Sequence, residues 1–404
     1  MTTPVNVSME QILSPQDTEE VKELFETAVN SPVHVLPTPG QARELAAWKE
    51  GKAPVVSLYL DLGPERRARG GWEAAVKDLL RKTREAGGPA VENEVSRLET
   101  VLLADPPPTQ ARGLALFTCG AEGLWRMFTL PIQVDDRVHV GPRPYVRPLV
   151  RAIDEHEQAL VVLASEARSR VALTQAGLCQ ELLTIEGLKI REVCSDRWDP
   201  RRYLTRDERD RLKTELRHSE AKALAHVVEA LARQLGVEHI LLGASPAFRG
   251  ALLEHLDPQV RGRVEPEPFP LLLEASPEEL AKRALEASRA IEAREEARTL
   301  SRIEEEGVLG ADPVLQALHN RNVRTLAVAC GFTEPGGRCA ACGRLRAGEG
   351  PCPTCGAAVE RVEDVWDLAM EEALVQAASI EIVQSEPAKG RLASLGGAGA
   401  LPRY

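Results

Sequence analysis

CAACGRLRAGEGPCPTCG, residues 339–356, carries four cysteines as two Cys-x2-Cys pairs, Cys339/Cys342 and Cys352/Cys355, separated by nine residues. Each pair can present two thiolates from one tight turn. Gly343 and Gly356 directly follow the second cysteine of each pair, where such turns call for a positive φ. Two facing turns supply four sulfurs in a tetrahedron, the donor set that Zn²⁺ prefers in a closed structural site. The intervening segment 343–351 is short, basic and turn-rich, enough for a hairpin but not for a core. The expectation is a structural Zn²⁺ ribbon over 336–358. A disulfide pair is the competing reading. It is disfavoured because the N-terminus does not read as a secretory signal and a cytoplasmic chain is kept reduced. Cys119, Cys179, Cys194 and Cys330 are scattered. Three read as small core residues, while Cys194 lies in a polar stretch with no base at a telling spacing.

Working outward, 404 residues exceed one ordinary core, so several domains are expected. Hydrophobic content of 43% and charged content of 27% are those of a soluble globular chain. No apolar run approaches the roughly 20 residues that span a bilayer. A formal net charge of −11 argues against a chain that binds nucleic acid over its whole surface, yet leaves room for local basic patches.

Residues 1–40 read as a short amphipathic helix around 21–29 followed by a Pro-rich linker. A strand at 55–62 (VVSLYLDL) opens the next segment. Two helices follow, one with Trp72, Val76, Leu79 and Leu80 at helical spacing and one with Val95, Leu98, Val101 and Leu102. Strands at 113–119 and 125–130 form a hairpin. A middle segment begins with the buried strand ALVVLAS at 159–165 and a strand–turn–strand pair. A long helix with Leu224, Val228, Leu231 and Leu235 on one face ends at Gly236, and a second buried strand covers 239–243. This alternation implies a partly parallel sheet. A third segment carries a charged, solvated helix at 278–306, a short helix, a strand at 324–330, the ribbon, a helix from 365 and a strand at 380–383. The fold class is therefore mixed α/β and α+β, divided as 1–40, 41–152, 153–274 and 275–404.

This order of pieces resembles the archaeal and eukaryotic class 1 peptide-chain release factor and its paralogue Pelota, in a divergent bacterial form. The tail GGAGALPRY at 396–404 is similar to that family's Gly-rich ending, and the ribbon falls inside the same domain, as in many archaeal release factors. HILLGASPAF at 239–248 is similar to a strand and turn of the family's middle domain. SLYLDL at 57–62, ARGLALF at 111–117 and PYVRPL at 144–149 fit its first domain, the last in the position of a closing strand. The resemblance covers nearly everything after residue 50.

Two departures bear on activity. The family's middle domain carries Gly-Gly-Gln on the loop that enters the peptidyl-transferase centre, and here the matching stretch is SDRWDPRRY at 195–203. Stop-codon readers carry Asn-Ile-Lys-Ser between the helices of the first domain, and here the turn is AGGPAVE at 86–92. The resemblance therefore implies a ribosome-binding factor in the A site, in contact with ribosomal RNA and acting in rescue or hibernation without peptidyl-tRNA hydrolysis. An elongation-factor-type GTPase is the implied co-partner. Peptide release through a different loop is the alternative, and an RNA-processing enzyme on the same scaffold is a third. No catalytic constellation stands out: the histidines are isolated, His226 near an apolar helix face, and no small-molecule site or membrane segment is evident.

The candidate RNA-binding residues are Arg197, Trp198, Arg201, Arg202, Tyr203 and Arg206. Guanidinium groups bind phosphates through paired donors, and aromatic rings stack on unpaired bases. Composition alone leaves open an exposed helix start of mixed charge, initiated at Asp199-Pro200; the family position favours RNA. Arg338, Arg344 and Arg346 form a second basic patch on the ribbon, with Arg344 and Arg346 the further candidate RNA contacts and a solvated hairpin the competing reading.

Overall fold

The computed structural model describes residues 5–8, 36–37, 39–48, 51–63, 66, 71–104, 111–154, 156–187 and 205–403. The chain divides into two compact units. One comprises Met1–Val33 with His156–Arg289, and the other His34–Glu155 with Ala290–Tyr404. The expected helix at 21–29 lies outside the described residues.

Strand β1 (Val5–Ser8) joins the middle segment's sheet, described below. The short helix α1 (Pro39–Ala46) starts where the sequence suggests only linker, with the proline in its first turn, where its missing N–H costs nothing. Strand β2 (Val55–Asp61) is followed by α2 (Gly71–Gly87), a 3-10 turn (Gly88–Val91) and α3 (Glu92–Ala104), then by β3 (Gly113–Cys119), β4 (Leu124–Leu130) and β5 (Arg137–Gly141). These strands form an antiparallel sheet in the order β4-β3-β2-β5. Strand periodicity splits its side chains between two cores. Val56, Leu58, Leu60, Leu114 and Leu116 pack with Val76, Leu79, Leu80, Val95 and Leu98 of α2 and α3. Val55, Tyr59, Ala115 and Phe117 face α1 and the helix that follows β5.

That helix, α4 (Arg147–Asp154), corrects the expectation of a closing strand at 144–149. Pro148 sits in its first turn, where proline's fixed φ favours the helix, and Leu149, Val150 and Ala152 turn inward. The preceding residues are tied down from both sides. The Tyr59 hydroxyl donates to the Tyr145 carbonyl at 2.6 Å, and the Tyr145 N–H donates to Ser57 Oγ at 3.0 Å.

The middle segment contains β6 (Ala159–Ala164), β7 (Arg168–Gln175), β8 (Leu178–Glu186), α5 (Arg206–Leu235), β9 (His239–Ala244) and α6 (Pro246–His255). The sheet order is β1-β8-β7-β6-β9, with β1 parallel to β8 and β6 parallel to β9. The outer edge of β9 is occupied: Ile240 N–H donates to Arg263 O, and Phe269 N–H donates to Leu242 O. Leu224, Val228 and Leu231 of α5 and Phe248 of α6 pack on this sheet. His226, read from its spacing as a core or boundary residue, is exposed.

The third segment runs through α7 (Pro277–Glu306), β10 (Val308–Leu309), α8 (Ala311–His319) and β11 (Thr325–Ala329), then the ribbon strands β12 (Gly336–Cys339), β13 (Leu345–Ala347) and β14 (Val359–Val362). It closes with α9 (Val365–Val375), β15 (Ser379–Val383), α10 (Glu386–Ser394) and β16 (Ala398–Leu401). Its sheet order is β10-β16-β11-β15. Leu326, Val328 and Ala400 face α8 and α9, with Trp366 fully buried. Ala327, Ala329, Val383 and Leu401 face Leu300 and Ile303 of α7 and Leu392 of α10. Helix α7, expected as solvated, is buried along this stripe. Its Glu296, 1% exposed, accepts the backbone N–H groups of Gln384 and Ser385. No described helix is long and apolar enough to cross a membrane.

Helix α4 holds the first and third segments together. The Arg147 guanidinium donates to Asp364, to Asp367 Oδ1 at 2.6 Å and to the Phe332 carbonyl at 3.1 Å. At the other end of α4, Asp154 accepts the Ile382 N–H at 2.6 Å. Nearby on α9, burial pushes the Glu371 carboxyl up to about 7, against the pull of Arg143 and Arg338.

Arg147→Ala leaves the buried Asp364 and the half-buried Asp367 without their bonded counter-charge and should cost about 3 kcal/mol in urea denaturation; a loss below about 0.5 kcal/mol would show that the two segments do not depend on this pair. Because the Glu371 carboxyl titrates higher in the folded chain than its ordinary value of 4.5, its contribution is present below that value and is lost as pH rises towards 7. Glu371→Gln should therefore stabilise by roughly 2 kcal/mol more at pH 8 than at pH 5. Equal effects at the two pH values would contradict the assignment.

Candidate metal centre

The ribbon is a three-stranded antiparallel sheet in the order β13-β12-β14. Gly336 and Gly337 let the strands close tightly: a Cβ on Gly337 would run into the Glu360 carbonyl. Leu345 anchors the hairpin in the core formed by α8, α9 and the third sheet.

Both Cys-x2-Cys turns have the same backbone bonding. In the first, Cys339 N–H donates to Arg344 O, and Gly343 N–H donates to Cys339 O, each at 2.9 Å. In the second, Cys352 N–H donates to Ala357 O, and Gly356 N–H donates to Cys352 O, again at 2.9 Å. Gly343 and Gly356 adopt φ of 73° and 71°, the left-handed conformation expected after each pair.

The turns bring the four sulfurs together. Sγ of Cys339 lies 3.5 Å from that of Cys355, and Sγ of Cys342 lies 3.5 Å from that of Cys352 and 3.6 Å from that of Cys355. All four fall within 4.8 Å of one another. These separations are far beyond the S–S bond of about 2.05 Å, and the cysteines are free thiols. They approach the edge of about 3.8 Å that a tetrahedron acquires from metal–sulfur bonds of about 2.3 Å. The donor set thus fits one metal ion, with no ligand position left open for substrate.

The electrostatics of the two turns match. The Cys339 thiol is held below its ordinary value by the N–H groups of Cys342 and Ala341, against the opposing effect of burial. At Cys352, burial pushes up, but the N–H groups of Cys355 and Thr354 outweigh it and bring the thiol down to about 6. Their neighbours Cys342 and Cys355 are pushed up, Cys342 to about 12. The backbone N–H groups thus favour the thiolate form of one sulfur in each pair, and a bound cation would favour it at all four.

The ribbon arginines are engaged within the fold. Arg344 Nη1 donates to Thr354 Oγ1 at 2.6 Å, tying the first turn to the second. Arg346 Nη1 donates to Pro351 O at 2.9 Å, and Arg338 lies 3.7 Å from Glu372. Arg344 and Arg346 are half-buried. Arg206 is exposed in the first turn of α5, which is capped by Thr205 and Glu208 in a reciprocal capping box. Arg197, Trp198, Arg201, Arg202 and Tyr203 lie outside the described residues, as does Asp199-Pro200.

Lys389 and Arg391 pair with Glu386 and Glu304, and Arg403 donates to the carbonyls of Val323 and Gln376. The glycine-rich tail serves packing: a Cβ on Gly399 would come within 2.7 Å of Ile303 on α7. The sequence treats His239 as isolated, yet the fold sets it between Glu157 at 3.1 Å and Glu265 at 2.8 Å. These partners lie 82 and 26 residues away, beyond the reach of any spacing rule.

Residues 144–289 match the family model described as bacterial archaeo-eukaryotic release factor family 10. Among curated proteins there is no match. Among solved structures, the chain is similar to the archaeal translation termination factor aRF1, at 17% identity over 99% of this chain and 99% of that one, with a TM-score of 0.23. It is similar to Pelota of Archaeoglobus fulgidus at 14% identity over 72% and 79%, with a TM-score of 0.27. Ribosome-bound archaeal Pelota, solved with ABCE1, is similar at 14% identity over 91% and 94%, with a TM-score of 0.38. The family match thus covers residues 144–289, about a third of the chain, and makes that stretch similar to bacterial archaeo-eukaryotic release factor family 10.

Proposed function

We propose that this protein is a ribosome-binding translation factor that occupies the A site during rescue or hibernation and leaves the peptidyl-tRNA ester intact. The observation that carries this reading is the family match over 144–289, a stretch whose sequence reads SDRWDPRRY at 195–203 where the resemblance implies Gly-Gly-Gln. Without that tripeptide the segment keeps phosphate-binding and stacking groups but lacks the residue that places water on the ester. Arg197, Trp198, Arg201, Arg202, Tyr203 and Arg206 are the proposed contacts to ribosomal RNA, with Arg344 and Arg346 on the ribbon as a second set. The three-part division at 41–152, 153–274 and 275–404, a cytoplasmic location and an elongation-factor-type GTPase as co-partner belong to the same proposal. Zn²⁺ is the proposed metal, because four thiolates in a closed tetrahedron select it over oxygen-seeking cations.

Arg201→Glu/Arg202→Glu should weaken binding to 70S ribosomes at least ten-fold and flatten its dependence on salt. Unchanged affinity in sedimentation would sink the RNA assignment of this loop, and release of labelled peptide from ribosomes carrying peptidyl-tRNA would favour the hydrolytic alternative. Elemental analysis of the purified chain should find one zinc per ribbon. Cys352→Ser should abolish its retention and lower the melting temperature. Acidification should release the ion as the thiolates take up protons, and retention of zinc by the serine variant would contradict four-sulfur ligation.

A further inference from the structure

Helices α5 and α6 bring the imidazole nitrogens of His218 and His255 together. Nδ1 of His218 lies 3.3 Å from Nε2 of His255, with the rings nearly perpendicular at 84°. Two imidazole nitrogens directed at each other have two ways to coexist: one carries a proton and donates to the other, or both direct lone pairs at a shared cation. A separation of 3.3 Å is long for a hydrogen bond to nitrogen or oxygen. It equals the edge of about 3.3 Å set by metal–nitrogen bonds of about 2.0–2.1 Å in a tetrahedral site.

Further donors stand close by. Glu254 Oε2 lies 3.9 Å from His218 Nδ1, on a side chain that is 70% exposed. Glu215, one turn before His218 on α5, lines the same open concavity as His218, together with Asp210. Carboxylate and imidazole at i and i+3 share one helix face. The framework beneath is rigid: Glu220 and Ala221 follow His218 into the core, and Leu252 anchors α6 one turn before His255.

We propose that His218 and His255, completed by Glu254, form a second metal site, separate from the ribbon, for a divalent transition ion such as Zn²⁺, Ni²⁺ or Co²⁺. Two imidazoles and one carboxylate favour such ions over Mg²⁺ and Ca²⁺, which seek oxygen-only shells. The bound ion cross-links the two helices at the point where α5 leaves the core, so it fixes the half of α5 that carries Arg206. The site does not depend on the proposed role at the ribosome.

The test uses the untagged full-length chain with its ribbon already zinc-loaded, titrated with Ni²⁺ by calorimetry and with Co²⁺ by absorption. The expected result is one further equivalent of Ni²⁺, with affinity reduced at least ten-fold in His218→Ala and in His255→Ala. Co²⁺ should give weak visible bands without the near-ultraviolet sulfur-to-metal transition. Both histidines are partly exposed, and circular dichroism checks that each variant stays folded. Glu254→Gln should weaken binding less than either histidine change. Three results overturn the proposal: no uptake beyond the ribbon's ion, uptake unchanged in both histidine variants, or a sulfur signature showing that the added ion has entered the ribbon.

Discussion

One guanidinium carries an outsized share of this architecture. Arg147 meets two carboxylates and a carbonyl from a part of the chain more than 180 residues away. The arrangement is economical because one partner, Asp364, already has a second task. Asp364 also accepts the N–H groups of Glu334 and Trp366, so it caps α9 while it holds Arg147. The same logic recurs at Glu296, which caps the turn ahead of α10, and at Glu94, which accepts the Gly120 N–H. These three carboxylates are fastened to backbone donors, which cannot swing away as a lysine would. That choice keeps a chain rich in acidic residues from accumulating unpaired buried charge.

The ribbon applies a related principle with sulfur. Two turns of identical backbone bonding lower one thiol each, and a bound cation would favour the thiolate form at all four sulfurs. The turns therefore position the sulfurs without demanding that all four be charged beforehand. Leu345 and Arg338 connect this small sheet to α9, the helix that receives Arg147. The ribbon and the clamp between the first and third segments thus share a support, and strain at either is felt through α9.

The sequence was most legible where local chemistry repeats. The Cys-x2-Cys pairs, their trailing glycines, the alternation in 55–62 and the spacing around Leu224 each state their structure within a dozen residues, and each is found as expected. Legibility failed where a distant partner decides. PYVRPL looks extended, but the sheet already has β5 on that edge, and the residues instead cover the apolar face presented by Tyr59 and Phe117. Helix α7 reads as solvated because its charges alternate, while the few residues that matter, Leu300, Ile303 and Glu296, depend on strands that come later in the chain. Strand β1 is four residues long, and its partner β8 lies in the middle segment, so no local pattern announces it. For the candidate sites the division is the same: sulfur ligands declare themselves by spacing, whereas His218 and His255 meet only through the packing of two helices.

Strand β16 follows every other element of the third segment yet lies inside its sheet, between β10 and β11. Until it arrives, β11 has an open flank, and the floor beneath Ile303 and Leu309 is missing. Loss of the stretch from Ala398 to Leu401 would therefore leave β10 without its antiparallel partner and β11 open on one flank.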